Sequence, residues 1–390
     1  MTDLVRILAL WRELEAAGAD YVLATVVAVE GSSYRKPGAL MLLTADGRRI
    51  GTVSGGCLEA QVASRAWWLT ANGPTIQRYT TAEEDGDRPF GSGCGGVVFL
   101  LLERRSTAGP TLTVLEQAFN RRDRLAVATV LEGAHLGRRA FACPESESSE
   151  GINGNADASP TNGESLQALA DRSLATCESI ESKIALGETY ARAWADYRPA
   201  RPALAIFGAG DDAQPVLRLA KQLGWFVSVA DGRSPLPTRE RFPLADELSI
   251  LPIEEIPGAT MEQALRPFAS LRSEDAAVVM THSFEQDSKI LACLLSLAAP
   301  PAYIGVLGPQ RRTRELLSEA ARLLGVPSGT IAAQADRWLA RLHAPTGLDL
   351  GAESPETIAL SIIAEIQKFR TAASALPLRM VRADQITVAG

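Results

Sequence analysis

Two segments set a thiol among glycines: VSGGCLEAQV (residues 53–62), which carries Cys57, and GSGCGGVVFL (91–100), which carries Cys94. The thiolate is the nucleophilic and metal-binding form of cysteine, and a positive local field raises its population. The pattern predicts a helix over 57–71, so Cys57 would sit at the positive end of a helix dipole. Glu59, in the same first turn, works against it. Gly55 and Gly56 supply backbone N–H groups that can form an anion nest. Gly95, beside Cys94, belongs to a turn that lets a ligand or a second backbone come close. A single cysteine is more often a small, inert core residue. Two of them set in glycine rather than in apolar runs point to chemistry, either sulfur transfer or contact with a metal centre.

Other candidates lie in loops with anion-binding character. GSSYRKPGA (31–39) groups Ser32, Ser33, Arg35 and Lys36. Hydroxyls beside a guanidinium suit phosphate or carboxylate, and the same residues suit a solvated hairpin loop. Further on, FGAGDDA places Gly208, Gly210 and Ala213 in a GxGxxG/A pattern between a strand and a helix. Asp231 ends the next strand about 20 residues later, where a ribose-binding acid is expected. Arg233 follows it and joins the cofactor-binding candidates. The helix N-terminus offers free N–H groups to a pyrophosphate. Asp211 and Asp212 would repel that pyrophosphate unless they turn away, and Asp211 suits an N-cap. A Rossmann fold holding NAD(P), a different ligand or none all fit these residues. Thr281 and His282 end a later strand, and His282 suits phosphate binding, acid–base work or a plain strand-end polar role. GVLGPQRR brings Gly305, Gly308, Arg311 and Arg312 after another strand, as an anion site or a solvated basic helix start. A turn suffices to explain His343 and Gly347.

These loops need elements to hold them. The chain has 390 residues, is 46% hydrophobic and carries a net charge of −7. That length allows two or three domains. The acidic balance argues against nonspecific nucleic-acid binding, which relies on Lys and Arg neutralising phosphates. No apolar run is long enough to span a membrane. The N-terminal segment reads as an amphipathic helix with Leu4, Ile7, Leu8, Trp11 and Leu14 on one face, not as an export signal. Five scattered cysteines without a CxxC pair, and only three histidines, suggest reduced thiols in a cytoplasm and no metal site built from protein ligands alone.

The expected fold class is α/β, an N-terminal α+β domain followed by a C-terminal Rossmann-like parallel-sheet domain. Residues 1–143 alternate strands and helices with a hairpin over LMLLT and RIGTVS. Residues 144–200 read as a low-complexity insert and linker, because 144–165 has almost no apolar content to offset its ordering entropy. From 201 to 390, buried apolar strands alternate with helices, the signature of a parallel sheet with crossovers, closed by a C-terminal helix.

Taken together, GSSYRKPGALMLLTADGRRIGTVSGGCLEAQV, GSGCGG, IFGAGDDAQPVLRLAKQLGW, VADGR, VVMTH, YIGVLGPQRRTRELL and LHAPTGLDLGAESPETIALSIIAEI resemble the XdhC/CoxI family of molybdenum-hydroxylase maturation factors. The resemblance covers most of the chain outside about 106–200. It implies a chaperone more than a catalyst. Such a protein binds molybdenum cofactor, as molybdopterin or its cytosine dinucleotide form. It assists sulfuration with a cysteine desulfurase and delivers the cofactor to an apo-hydroxylase of the xanthine or carbon-monoxide dehydrogenase type. On this resemblance Cys57 and Cys94 would contact molybdenum or pass sulfur, Arg35 would pair a phosphate, and the protein would be a homodimer. The competing reading is an NAD(P)-dependent oxidoreductase that uses the Rossmann half with His282 as acid–base group. A third is an adaptor that docks a desulfurase onto a hydroxylase.

Overall fold

The computed structural model describes residues 2–56, 58–80, 96–144, 163–233, 236–251 and 270–381. The chain divides into two compact units, Met1–Arg201 and Pro202–Gly390. Cys57, Cys94 and Gly95 lie outside the described residues.

The first unit begins with α1 (Thr2–Ala16), β1 (Tyr21–Glu30), β2 (Leu40–Thr44), β3 (Arg49–Gly51) and α2 (Glu59–Leu69). It continues with β4 (Thr75–Thr80), β5 (Val97–Arg104), α3 (Arg105–Arg121), β6 (Leu125–Val130) and β7 (Arg139–Ala142). It ends with α4 (Leu166–Thr176), β8 (Ile180–Leu186) and β9 (Thr189–Arg198). One sheet has the order β3-β2-β1-β5-β4, with every pairing antiparallel. Its central strand, YVLATVVAVE, is rich in β-branched residues and buried on both faces. Alternation along that strand sends Tyr21 and Leu23 into a core with Leu8 and Leu112 of α1 and α3. Val22, Ala24 and Val26 go to the other face, against Val62 and Ala66 of α2. The period of two thus lets one strand serve two cores.

Where the sequence suggests an insert and linker over 144–200, the structure puts residues 166–198 into α4, β8 and β9. These form an antiparallel sheet, β7-β6-β9-β8, within the first unit. Ala126, Ala128, Ala193 and Ala195 make a flat face on which Leu169 and Ala170 of α4 pack. Small side chains give a weak hydrophobic signal; β9 pairs with its neighbour β8 on one side and with β6, some sixty residues earlier, on the other.

The second unit contains β10 (Ala203–Phe207), α5 (Ala213–Gln222), β11 (Phe226–Asp231), β12 (Glu247–Ile250), β13 (Ala276–Val279) and β14 (Tyr303–Val306). All neighbours in its sheet are parallel, in the order β12-β11-β10-β13-β14. This is the doubly wound Rossmann arrangement, and its order reverses between β10 and β13, the position where such sheets bind ligands. Helices α5 and Pro355–Thr371 cover one face and helices Phe284–Ser296 and Gln310–Leu323 the other. The strands expected over 276–282 and 302–308 stop at Val279 and Val306. The residues beyond them form the loops that carry Thr281, His282 and Gly308. No described helix is long and apolar enough to cross a membrane.

Candidate functional site

In the first unit the three glycine motifs meet. A Cβ placed on Gly96, the last residue of GSGCGG, would lie 2.0 Å from the carbonyl oxygen of Ser32, so only glycine lets that backbone pass GSSYRKPGA. A Cβ on Gly55 would lie 2.8 Å from the ring of Tyr34. Gly56 has φ +122°, and among the described residues nothing lies within 4 Å of its Cβ position.

Glu59 sets the shape of the loop before Cys57. It is buried, and its Oε1 accepts the N–H groups of Val53 and Ser54, each at 3.0 Å. Its Oε2 accepts the Ser54 hydroxyl at 2.7 Å, and Ser54 Oγ accepts the N–H of Leu58 at 2.9 Å. Burial works to raise the Glu59 pKa, but these hydrogen bonds prevail and the net shift is downward. By its position in the sequence Glu59 is only an opposing charge, whereas the structure makes it the organiser of the Gly-Gly loop. Its signal was the spacing SxxxxE across that loop. Helix α2 begins at Glu59, two residues later than the pattern suggests, with Leu58 as its N-cap.

Ser32 is exposed and Ser33 half-buried. Arg35 is engaged already: its Nε donates to the Thr52 carbonyl at 3.0 Å and its guanidinium pairs with Asp3. It therefore pins the loop to β3 and α1. Gly38 is required by Asp196 of β9, whose Oδ1 would lie 2.8 Å from an added Cβ.

In the second unit the sheet's carboxyl edge gathers Gly208, Gly210, Asp231, Arg233, Thr281, His282, Gly308 and Arg312. Gly208 has φ +132°, and a Cβ there would lie 2.5 Å from the Met280 carbonyl oxygen. Its glycine is thus demanded by the close approach of the chain leaving β13. Asp231 is fully buried at the end of β11. Its oxygens accept the Ala209 N–H at 2.8 Å, the Arg233 N–H at 2.8 Å, and Arg233 Nε and Nη2 at 3.0 and 2.7 Å. Burial pushes its pKa up, but these donors outweigh burial and hold it below the ordinary aspartate range. A ribose diol would meet a carboxylate already saturated with donors.

Asp211 is not the N-cap of α5, a position held by Asp212 without a side-chain capping bond. Both carboxylates find other partners. Asp211 pairs with Arg241 at 2.8 Å. Asp212 Oδ2 lies 2.7 Å from His282 Nε2, while its Oδ1 lies 2.5 Å from the Cβ position of Gly210. His282 adopts φ +62°, an unusual conformation for a residue with a Cβ. Thr281 is buried, and its hydroxyl donates to Asp287 at 2.6 Å. Asp287 also accepts from Arg312 Nη2 at 2.7 Å. The hydrogen bond to Asp231 chiefly, with its charge and those of Asp212 and Asp287 in support, favours the protonated Arg233. The result is a ring of paired charges at the topological switch point.

A further polar network was not foreseen. Tyr303 donates to Glu365 at 2.6 Å and lies 2.6 Å from the Thr346 hydroxyl. His343 Nδ1 lies 3.0 Å from Glu365, whose other oxygen also accepts the Gly347 N–H at 2.6 Å. Burial works to raise the Glu365 pKa, but these donors hold it at about 2. His343 stacks on Tyr303, with ring centroids 4.1 Å apart. His343 and Gly347 thus anchor their loop to helix Pro355–Thr371, a role that turn chemistry alone does not convey.

Fold and site define a protein with clustered glycine loops in an antiparallel α+β unit, followed by a Rossmann unit. The chain belongs to the XdhC and CoxI family. Residues 14–80 match the model described as XdhC and CoxI family, and residues 204–366 match the XdhC Rossmann domain. It is 33% identical over 359 residues to a Bacillus subtilis protein named as a probable xanthine dehydrogenase subunit, covering 90% of this chain and 93% of that one. It is 33% identical over 115 residues to the Escherichia coli molybdenum cofactor insertion chaperone PaoD, covering 27% of this chain and 33% of that one. A Bacillus halodurans crystal structure described as a xanthine dehydrogenase superposes with a TM-score of 0.67 at 26% identity. That match covers 98% of this chain and 99% of the other.

Proposed function

We propose that this chain is a maturation factor: it binds molybdenum cofactor, assists its sulfuration with a cysteine desulfurase, and delivers it to a xanthine dehydrogenase-type hydroxylase. The reading draws on family membership and on the likeness to a protein named as a cofactor insertion chaperone. The observation that carries it is that Gly96 of GSGCGG and Gly55 of the loop preceding Cys57 both pack against GSSYRKPGA, at Ser32 and Tyr34. Gly56, with a positive φ and no described residue within 4 Å of its Cβ position, supplies the kind of close approach that a bulky anionic group needs. When bound, the cofactor brings the metal centre that a hydroxylase uses. The protein's own task is to hold and orient it, with Ser32, Ser33, Gly55 and Gly56 beside the phosphate or pterin and Cys57 and Cys94 as the sulfur-bearing candidates. The homodimer and the cytoplasmic setting belong to the same proposal.

The test is metal and pterin analysis of protein purified from a host that makes the cofactor, beside Cys57→Ala and Cys94→Ala. Cofactor should accompany the parent protein and fall at least about tenfold in both variants, the effect of roughly 1.4 kcal/mol of lost binding. Equal retention in the variants removes the thiols from the site, and absence from the parent protein refutes cofactor binding.

The His282–Asp212 pair favours a second reading, an NAD(P)-dependent oxidoreductase with an oriented imidazole as acid–base group. The saturated Asp231 weighs against it. NADH turnover with a carbonyl substrate would establish it.

A further inference from the structure

The first unit contains a cavity of about 290 Å³ beneath the GSSYRKPGA loop. Pro37 and Gly38 close one side, Leu115 and Phe119 of α3 form an apolar wall, and Asp196 and Arg198 of β9 supply the polar end. The guanidinium of Arg201 lies 4.3 Å from the centroid of the Phe119 ring.

The polar end is unusual for its position. Alternation along β9 puts Trp194, Asp196 and Arg198 on one face, and Trp194 and Asp196 are both buried. An apolar residue is the ordinary occupant of such a position, so a carboxylate there is informative. Arg198 Nη2 lies 2.7 Å from Asp196 Oδ2 and donates to the Gly38 carbonyl at 2.8 Å. Its Nε–H, however, is buried with no hydrogen-bond partner among the described residues. Burial of a donor without an acceptor costs roughly 1–3 kcal/mol. The cavity therefore offers a buried carboxylate paired with a guanidinium, facing an apolar wall of Leu115 and Phe119, while the unsatisfied Nε–H is closed off from the cavity space.

The complementary ligand is a flat ring whose edge places N–H donors next to a carbonyl acceptor and whose faces are apolar. The 2-amino-4-oxo edge of a pterin has this pattern, with ring N–H and amino groups for a carboxylate and a carbonyl for a guanidinium. The volume lies at the lower end of the roughly 300–1,000 Å³ usual for ligand pockets, enough for a fused two-ring head and not for a dinucleotide. We propose that this cavity binds the pterin head of the cofactor, with Asp196 and Arg198 reading its pyrimidine edge. The inference rests on the cofactor reading above and assigns one part of that ligand to named residues.

The test uses the full chain and neopterin, a fluorescent pterin with neither phosphate nor metal. Fluorescence anisotropy should show saturable binding. Unsubstituted pterin should bind too, and lumazine, which differs from it by an oxo group in place of the 2-amino group, should bind at least about tenfold more weakly than pterin, as expected for a lost hydrogen bond to a buried charged partner. Asp196→Asn should weaken neopterin binding by at least the same factor. Ala118→Leu, which adds bulk to the cavity lining and leaves Asp196 and Arg198 unchanged, should do likewise, and it carries the test if Asp196→Asn fails to fold. Three results overturn the inference: no saturable neopterin binding, equal binding of lumazine, or unchanged binding in the folded variants. Each leaves Asp196–Arg198 as a structural ion pair in a hydrated cavity. If the parent protein still purifies with molybdenum cofactor, only the pterin site falls; if it carries none, the cofactor reading falls as well.

Discussion

Glu59 offers the sharpest check on the site's architecture. Its carboxylate accepts three hydrogen bonds from Val53 and Ser54 in a buried setting. In Glu59→Gln the amide oxygen can still accept the two backbone N–H groups, but as a neutral acceptor. Hydrogen bonds to charged groups contribute about 1.5–3 kcal/mol against about 0.5–1.5 for neutral ones. The amide nitrogen then faces the Ser54 hydroxyl, whose proton loses its acceptor. A total loss of roughly 2–4 kcal/mol follows. Glu59→Ala strands both N–H groups and should cost more. The pH dependence has a defined sign. The folded-state pKa of Glu59 is lowered, so its contribution is fully present above the ordinary glutamate pKa of about 4.3 and disappears as pH falls through the folded value. Urea unfolding followed by tryptophan fluorescence, at neutral pH and at several acidic values, measures this. The difference between parent and Glu59→Gln should be largest at neutral pH and narrow below about pH 4. A difference under about 0.5 kcal/mol at neutral pH, or one that does not depend on pH, refutes the role of this carboxylate.

Arg233→Ala removes the guanidinium donors to Asp231 and leaves the backbone N–H groups in place; because the guanidinium is partly exposed and screened by water, it should cost about 1–3 kcal/mol. Arg233→Lys should recover little of this in thermal unfolding, because one ammonium cannot replace a forked donor. Glu365→Gln should remove up to about 3 kcal/mol at neutral pH, because the native carboxyl titrates near 2 against an ordinary value above 4. That difference should vanish as the pH falls from about 4 toward 2 in acid-unfolding curves. Gly208→Ala should destabilise the second unit by roughly 2–4 kcal/mol, since the added Cβ meets a backbone carbonyl and the residue keeps a positive φ. Under limiting iodoacetamide, peptide mapping should find Cys177 alkylated well before Cys293. A hydrogen bond from Tyr197, with help from Arg124, lowers the Cys177 pKa at an exposed position, whereas burial pushes Cys293 up to about 11.

The sequence by itself determined what depends on near neighbours along the chain. The GxGxxG/A run between apolar segments fixed the strand–turn–helix of β10 and α5, because its glycines and periodicities act within a few residues. The segments LMLLT and RIGTVS around the ADGR turn fixed the β2–β3 hairpin in the same way. The order of motifs along the whole chain identified the family. Tertiary structure decided whatever joins distant residues. Gly96 must be glycine because Ser32 passes it, and Gly38 because Asp196 does, separations of 64 and 158 residues. Arg35 reads as a free phosphate clamp in its own loop, and folding pairs it with Asp3. Asp231 reads as a ribose acid until folding brings it the Ala209 N–H, 22 residues back, beside the local donors of Arg233. The alanine-rich strands over 180–198 give no local signal strong enough to distinguish strand from linker, and their hairpin is held in the sheet by the pairing of β9 with β6. A local pattern specifies which groups a segment offers. Only the packed chain specifies which of those groups are already spent on one another and which stay available for a ligand.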